Sequence, residues 1–388
     1  LNIRFDKLGV VIALLIAYGA FAAPFAAFRA NRIVPGEARS ILDSLPTGAG
    51  TALLMLMAAA TIVILLKTPT VLRLVTAAVG LVAIAAFVGM AAAHLTPPGN
   101  TYARVSPASG FWILLFAYAL LAADSITRLR PQPGVRVLLL LLTLGGAAVI
   151  LMSGTWDGLS ILKEYSGRAD VFWFEARRHV ALALGSLAAS VFIGLPLGIL
   201  CHRVEPVRAG VLNSLNLIQT IPSIALFGIL IAPLGWIAVN VPGAAAIGIR
   251  GIGAAPAFVA LFLYSLLPVV ANTVVGLAGV PREANEAARG IGMTGGQRLV
   301  RIELPLALPV ILTGIRIVLV QNIGLATIAA LIGGGGFGVF VFQGIGQTAM
   351  DLVLLGAVPT VVLAFAAAIV LDALIEMNAP QRQRSRAA

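Results

Sequence analysis

The sequence predicts an all-α polytopic membrane protein with about ten transmembrane helices. Of its 388 residues, 60% are hydrophobic and only 11% are charged, whereas soluble domains carry about a quarter charged residues. Mean hydropathy is +1.03. Residues 8–28, 44–66, 74–93, 105–123, 137–156 and 180–201 contain no Asp, Glu, Lys or Arg. Each run is near or above the roughly 20 residues that a helix needs to cross a ~30 Å hydrocarbon core.

The first span, near 8–28, follows Arg4 and Lys7 and ends among alanines, a pattern shared with signal peptides. Its uncharged run is longer than a usual signal core, so a retained helix is expected. Spans near 49–66, 74–93, 109–123 and 137–154 follow, the fourth borrowing residues around Pro107 at its outer end. Residues 1–153 thus form an N-terminal five-helix membrane extension with little polar content. A hydrophilic outer linker, 154–178, precedes a second group of five spans within 179–376, near 180–201, 212–234, 257–279, 309–331 and 352–374. Residues 377–388 form a basic tail. The stretch 209–249 is uncharged and too long for one helix. Pro222, Pro233, Gly235, Pro242 and Gly243 interrupt it, which predicts a span followed by a Gly/Pro-rich excursion.

A net charge of +11 would suggest nucleic acid in a soluble protein. In a membrane protein, surplus Lys and Arg collect in cytoplasmic loops, so lipid rather than nucleic acid is the expected partner. With the N-terminus inside, sixteen of the 26 Lys and Arg fall on the cytoplasmic side and nine on the other, with Arg316 inside a span. Both termini are therefore expected in the cytoplasm. The single Cys201 excludes an internal disulfide, and His94, His179 and His202 have no metal-ligand spacing.

Between the eighth and ninth spans lies the segment Pro281–Pro305. Pro281 suits a helix start, Glu283 and Glu286 suit its first turns, and Gly290 and Gly292 punctuate its end. After Thr294, Gly295 and Gly296, a second short helix carrying Leu299, Val300 and Ile302 is expected to stop before Pro305. Two short amphipathic helices joined by a glycine turn would make a rigid knob.

The spacing of Glu286, Ala287, Ala288, Arg289, Gly292, Ile302, Leu304 and Pro305 resembles the EAA loop of ABC importer permeases, and it stands two spans before the end of the last group, on the expected cytoplasmic side. The segments 219–228, 263–273, 303–311 and 332–338 resemble the osmoprotectant branch, which handles glycine betaine, choline and proline betaine. The N-terminal helices resemble a longer variant within that branch. The resemblance implies that the last five helices are a type I ABC importer permease core in a bacterial inner membrane. It implies a second permease subunit, a periplasmic solute-binding protein, and separate ATPase subunits that bind ATP and Mg and engage residues 286–305. The chain has no G-x-x-x-x-G-K-[ST] phosphate loop, so no catalytic residue, cofactor or metal is assigned to it.

Polar residues inside spans are costly and often face a cavity. Asn213, Asn216, Gln219, Ser223, Asn272, Thr273, Gln321, Asn322 and Thr327 are therefore pathway or interface candidates, with interhelical hydrogen bonding as the alternative. Pro222 and Pro268 suggest kinks. Gly334, Gly335 and Phe337 belong to a glycine-rich outer gate. A quaternary ammonium solute needs an aromatic cage, and with only 7% aromatic residues here that cage is expected in the binding protein. Arg316 either snorkels to the inner interface or pairs with Asp372. Another small polar solute, such as an amino acid or sulfonate, fits the same permease pattern. An ion-coupled secondary transporter would need intramembrane acids, and only Asp124, Asp372 and Glu376 come near.

Overall fold

A computed structural model describes residues 6–32, 34–97 and 99–378. Arg4 and the basic tail beyond Asn378 lie outside the described residues. The chain divides into two compact units, Leu1–Gly167 and Arg168–Ala388.

The first unit contains α1 (Lys7–Ala22), α2 (Thr47–Leu65), α3 (Thr70–Leu95), α4 (Ser109–Leu129) and α5 (Pro133–Met152). Asp6 caps α1 by accepting the Gly9 N–H at 2.9 Å. The last turn of α1, Tyr18–Ala22, is a π turn. The helix stops at Ala22, six residues short of the expected end, because Ala23 precedes Pro24 and takes an extended conformation, φ −104° and ψ 143°. The chain then enters β1 (Ala26–Arg29), which pairs antiparallel with β2 (Glu37–Arg39) and β3 (Arg104–Pro107). This small sheet qualifies the all-α expectation. Its strands are three or four residues long, too short for a periodic signal, and β1 meets β3 only through long-range pairing.

Pro107 belongs to that sheet, so α4 does not borrow from it. The helix instead runs on to Leu129 and takes Asp124 and Arg128 with it. Those charges are tolerated because they pair. Arg73, 1% exposed on α3, lies 3.2 Å from Asp6 and 3.8 Å from Asp124. Arg128 reaches the same carboxylates at 3.1 and 2.9 Å. Two cations and two anions thus tie the start of α1, the start of α3 and the end of α4. Ile12, Ile16, Ile84, Leu114 and Tyr118 belong to the buried hydrophobic core of this unit.

The second unit contains α6 (Ala169–Arg203), α7 (Glu205–Thr220), α8 (Ser223–Asn240), α9 (Ala254–Ala278), α10 (Arg282–Gly290), α11 (Gly295–Ile332), α12 (Gly338–Gly346) and α13 (Met350–Asn378). The segment expected as a linker at 154–178 is only partly one: Ser160–Ser166 is a short helix, and residues from Ala169 onward are the first turns of α6. The buried positions of α6, among them Glu175, His179, Leu182, Ser186, Ser190, Gly194 and Gly198, recur every three or four residues. Small residues along that stripe let α9 approach closely; a Cβ on Gly198 would sit 2.6 Å from the Thr273 Cβ.

The seventh span, expected at 212–234, is two helices. Ile221, extended before Pro222 (φ −70°, ψ 126°), separates α7 from α8, whereas Pro233 is absorbed inside α8. Among the described residues, nine helices are long and apolar enough to cross a membrane, and α1 is shorter.

Candidate functional site

The segment resembling a coupling loop is built by two interlocking helix caps. α10 ends in a Schellman motif: Met293 N–H donates to the Ala288 carbonyl at 3.0 Å and Gly292 N–H to the Arg289 carbonyl at 3.0 Å. Gly292, at φ +81°, occupies the left-handed position that the motif requires, which costs a side-chain-bearing residue about 1–2 kcal/mol. Two residues on, Thr294 opens α11 with a capping box. Gln297 N–H donates to the Thr294 hydroxyl, and Thr294 N–H donates to Gln297 Oε1 at 2.9 Å. The turn is therefore set by local backbone and capping hydrogen bonds.

The second helix does not stop before Pro305. It continues through a π turn, Leu299–Glu303, where the Leu304 N–H reaches back five residues to the Leu299 carbonyl. Pro305 lacks an N–H and its ring would press on the carbonyl four residues earlier; the wider π turn accommodates it. The consequence is mechanical. Gly295–Ile332 is one 38-residue helical rod, about 57 Å long at 1.5 Å per residue.

On this scaffold Glu286, Ala287, Arg289, Gly292 and Pro305 are exposed, Ala288 is buried, and Ile302 and Leu304 are half-buried. Ile291 and Val300 are exposed by 75% and 64%, and Glu286, Arg289 and Arg301 of the same segment are exposed as well. A segment that exposes both large apolar and charged side chains is suited to docking against another protein. At its base, Glu303, only 3% exposed, is paired with Arg203 at the end of α6, fixing the root of the rod.

The other candidates fall into five arrangements. Gln219 Nε2 donates to the Tyr264 carbonyl at 2.8 Å. That carbonyl lacks its helical partner because the residue four positions on is Pro268. Tyr264 returns the favour by donating its hydroxyl to the carbonyl of Ile221, beside the break at Pro222. Pro222 is exposed and Ser223 half-buried. Asn272 donates to the Pro268 carbonyl at 2.8 Å and packs on Gly314. Asn322, 0% exposed, donates to Ser186 and Ser265, each at 2.9 Å. It therefore bonds three helices together and lines no open space, while Gln321 beside it is half-buried. Gly334, Gly335 and Phe337 are also buried, in a loop held against α6. Arg316 pairs with Asp372 at 2.8 Å.

Sequence reasoning missed Arg203, Glu175, His179 and Tyr264. Arg203 meets Glu303 across 100 residues, and Glu175 meets Gly336 across 161, so no local pattern marks them. The one available signal was a charged or aromatic residue inside an otherwise apolar helix.

Comparison with known proteins bears on the whole chain. Residues 6–162 match the family described as the N-terminal domain of the ABC transporter permease YehY. Residues 190–384 match the family described as binding-protein-dependent transport system inner membrane component. The osmoprotectant import permease protein OsmW of Salmonella typhimurium is 46% identical over 219 residues, covering 56% of this chain and 94% of that protein. The glycine betaine/carnitine/choline transport system permease protein OpuCB of Bacillus subtilis is 35% identical over 191 residues, covering 49% of this chain and 81% of that protein. Among solved structures, an inward-facing MetNI methionine ABC transporter aligns with a TM-score of 0.47 at 22% identity, covering 55% of this chain and 96% of that one. On the match of its second half, this multi-pass membrane protein belongs to the binding-protein-dependent transport system inner membrane component family, the permease subunits of ABC importers.

Proposed function

We propose that this permease carries osmoprotectants of the glycine betaine and choline type, and that residues 282–305 couple it to a separate ATPase. The observation that carries the coupling is the α10–α11 turn. An exposed knob that carries Ile291 and Val300 at its surface is fixed by two caps to a rod that continues into a membrane span. A push on the knob is delivered to the rod with little loss to local bending.

The solute class is supported by the relatives named for osmoprotectants, glycine betaine, carnitine and choline. In this reading the ATP and Mg sit on the partner ATPase, a binding protein delivers the solute, and a second permease subunit, identical or related, completes the pathway. The charge bias supports a cytoplasmic side for both termini and the 282–305 loop, where an ATPase would reach the loop.

The test is reconstitution of the chain with an ATPase and a binding protein in proteoliposomes, with uptake of labelled glycine betaine and choline. ATP-dependent uptake is expected, abolished by Glu286→Lys without loss of membrane insertion. Uptake of an amino acid or sulfonate in place of both quaternary amines would move the solute assignment. Full transport by Glu286→Lys would remove the coupling role of the loop.

A further inference from the structure

The loop-distal end of the rod is held by groups that transport through the knob does not itself require. Gly333, Gly335 and Gly336 all have left-handed backbones, with φ of +77°, +80° and +87°, and they turn the chain from α11 into α12. This turn presents two consecutive backbone N–H groups to α6. Gly336 N–H donates to Glu175 Oε2 at 2.5 Å, and Phe337 N–H donates to His179 Nδ1 at 3.3 Å. Glu175 and His179 stand four residues apart on α6, hence on one face, and are 7% and 0% exposed. The Phe337 ring covers His179 with centroids 4.9 Å apart and contacts Phe172 at 5.5 Å. The fit leaves no room for a side chain: a Cβ on Gly335 would lie 2.6 Å from Glu175 Oε2 and 2.8 Å from Arg178 Nη1.

α6 therefore grips α11 at three levels. Arg203 binds Glu303 at one end, Ser186 binds Asn322 midway, and Glu175 with His179 binds the glycine turn at the other end. A rod pinned at both ends to the same neighbour cannot swing its far end unless the far pin opens. The far pin is also the one whose donors, the Gly336 and Phe337 N–H groups, sit in a turn made of glycines, whose backbone changes conformation at low steric cost.

We infer that Glu175 and His179 are positioning residues that clamp the glycine turn 333–337, and that release of this clamp is the step by which movement of the 282–305 loop opens the opposite end of the pathway. This inference rests on the transport reading above.

The experiment uses the complete transporter in nanodiscs, with Glu175→Leu and His179→Leu to remove each acceptor and His179→Asn to return an acceptor oxygen near the Nδ1 position. Hydrogen exchange of the peptide spanning 334–338 reports the clamp, and ATP hydrolysis without binding protein, together with solute moved per ATP, reports its role. Exchange at 334–338 is expected to rise at least tenfold in the leucine variants. Unstimulated ATP hydrolysis is expected to rise several-fold while solute moved per ATP falls, and His179→Asn is expected to restore both. If a leucine variant does not accumulate, Gly335→Ala attacks the same clamp from the loop side. Faster exchange with an unchanged ratio of solute to ATP would make the contact purely structural and overturn the inference, as would unchanged exchange. Failure of the wild-type chain to bind any ATPase is a separate readout, which removes the transport reading itself.

Discussion

Replacing Gly292 by alanine tests the coupling loop through backbone geometry alone. At this position a Cβ meets nothing within 4 Å, so no clash is created and no contact is lost. What changes is the cost of φ +81°, about 1–2 kcal/mol for an L-residue with a side chain, which is a five- to thirtyfold shift in the population of the closed turn. Gly290 supplies the control. It is also exposed, with open space around its Cβ, but it is the last residue of α10 and its backbone is not left-handed, so alanine is favoured over glycine there by at most about 0.5–1 kcal/mol. The two substitutions add the same methyl group two residues apart and should act in opposite directions. Gly292→Asn should fall between Gly and Ala, because Asn tolerates the left-handed region better than other side chains. The assay is hydrogen exchange at the Met293 amide, whose bond to Ala288 closes the motif, read beside ATPase association and solute-stimulated ATP hydrolysis. Gly292→Ala should accelerate exchange and weaken coupling, and Gly290→Ala should do neither. Equal behaviour of the two alanine variants, or a larger defect in Gly290→Ala, would refute the argument that the turn's backbone conformation holds the knob.

Three other outcomes follow from the structure. Asn322→Ala removes two interhelical donations to Ser186 and Ser265, and should lower the thermal midpoint in detergent by the equivalent of about 1–2 kcal/mol; a transport defect with an unchanged midpoint would mark Asn322 as a pathway residue instead. Arg316→Asp and Asp372→Arg, apart, should each reduce accumulation of the protein in the membrane by leaving a charge unpaired beside the 2.8 Å contact, and the double reversal should recover most of it; no recovery would show that the pair is incidental. Burial pulls the Asp6 carboxyl upward, but the Gly9 amide and the Arg128 and Arg73 guanidinium groups outweigh it, and the result lies below the ordinary 3.8. A lowered folded-state value means that the stabilisation is present above the ordinary carboxylate range and is lost as pH falls through the folded-state value. Asp6→Asn should therefore lower the melting temperature at pH 7 and lose its effect as acid protonates the wild-type carboxyl; a difference that persisted unchanged at pH 2 would contradict the ionic account.

Much of the scaffold was legible because the bilayer imposes it. A helix in hydrocarbon must satisfy its own backbone and be apolar over about 20 residues, so helices such as Thr70–Leu95 and Ala254–Ala278 stand out in the linear sequence. The loop was legible for a related reason: Gly292, Thr294 and Gln297 act on neighbours within five residues, and local bonds leave local signatures. The break at Pro222 was harder. A proline inside an apolar run can end a helix, as Pro222 does, or be absorbed, as Pro233 and Pro268 are. Gln219 satisfies the Tyr264 carbonyl freed by Pro268, and the Tyr264 hydroxyl caps the Ile221 carbonyl at the Pro222 break; neither residue announces that role in sequence.

The sequence by itself determined that the chain is an α-helical membrane protein, where most helices lie, and that residues 281–305 form two helical pieces around a glycine turn. Each of these depends on composition or on contacts a few residues apart. Only the tertiary structure decided that the second piece runs unbroken into the membrane span through a π turn, that Asn322 is enclosed by bonds to Ser186 and Ser265 on two other helices, and that α6 holds the rod at both ends. The last two depend on partners far away in sequence, 57 to 161 residues, and the first on how the chain accommodates Pro305. A polar side chain within an apolar helix has the same sequence signature whether it meets solute, lipid headgroup or another helix; the packing of the neighbouring helix decides which.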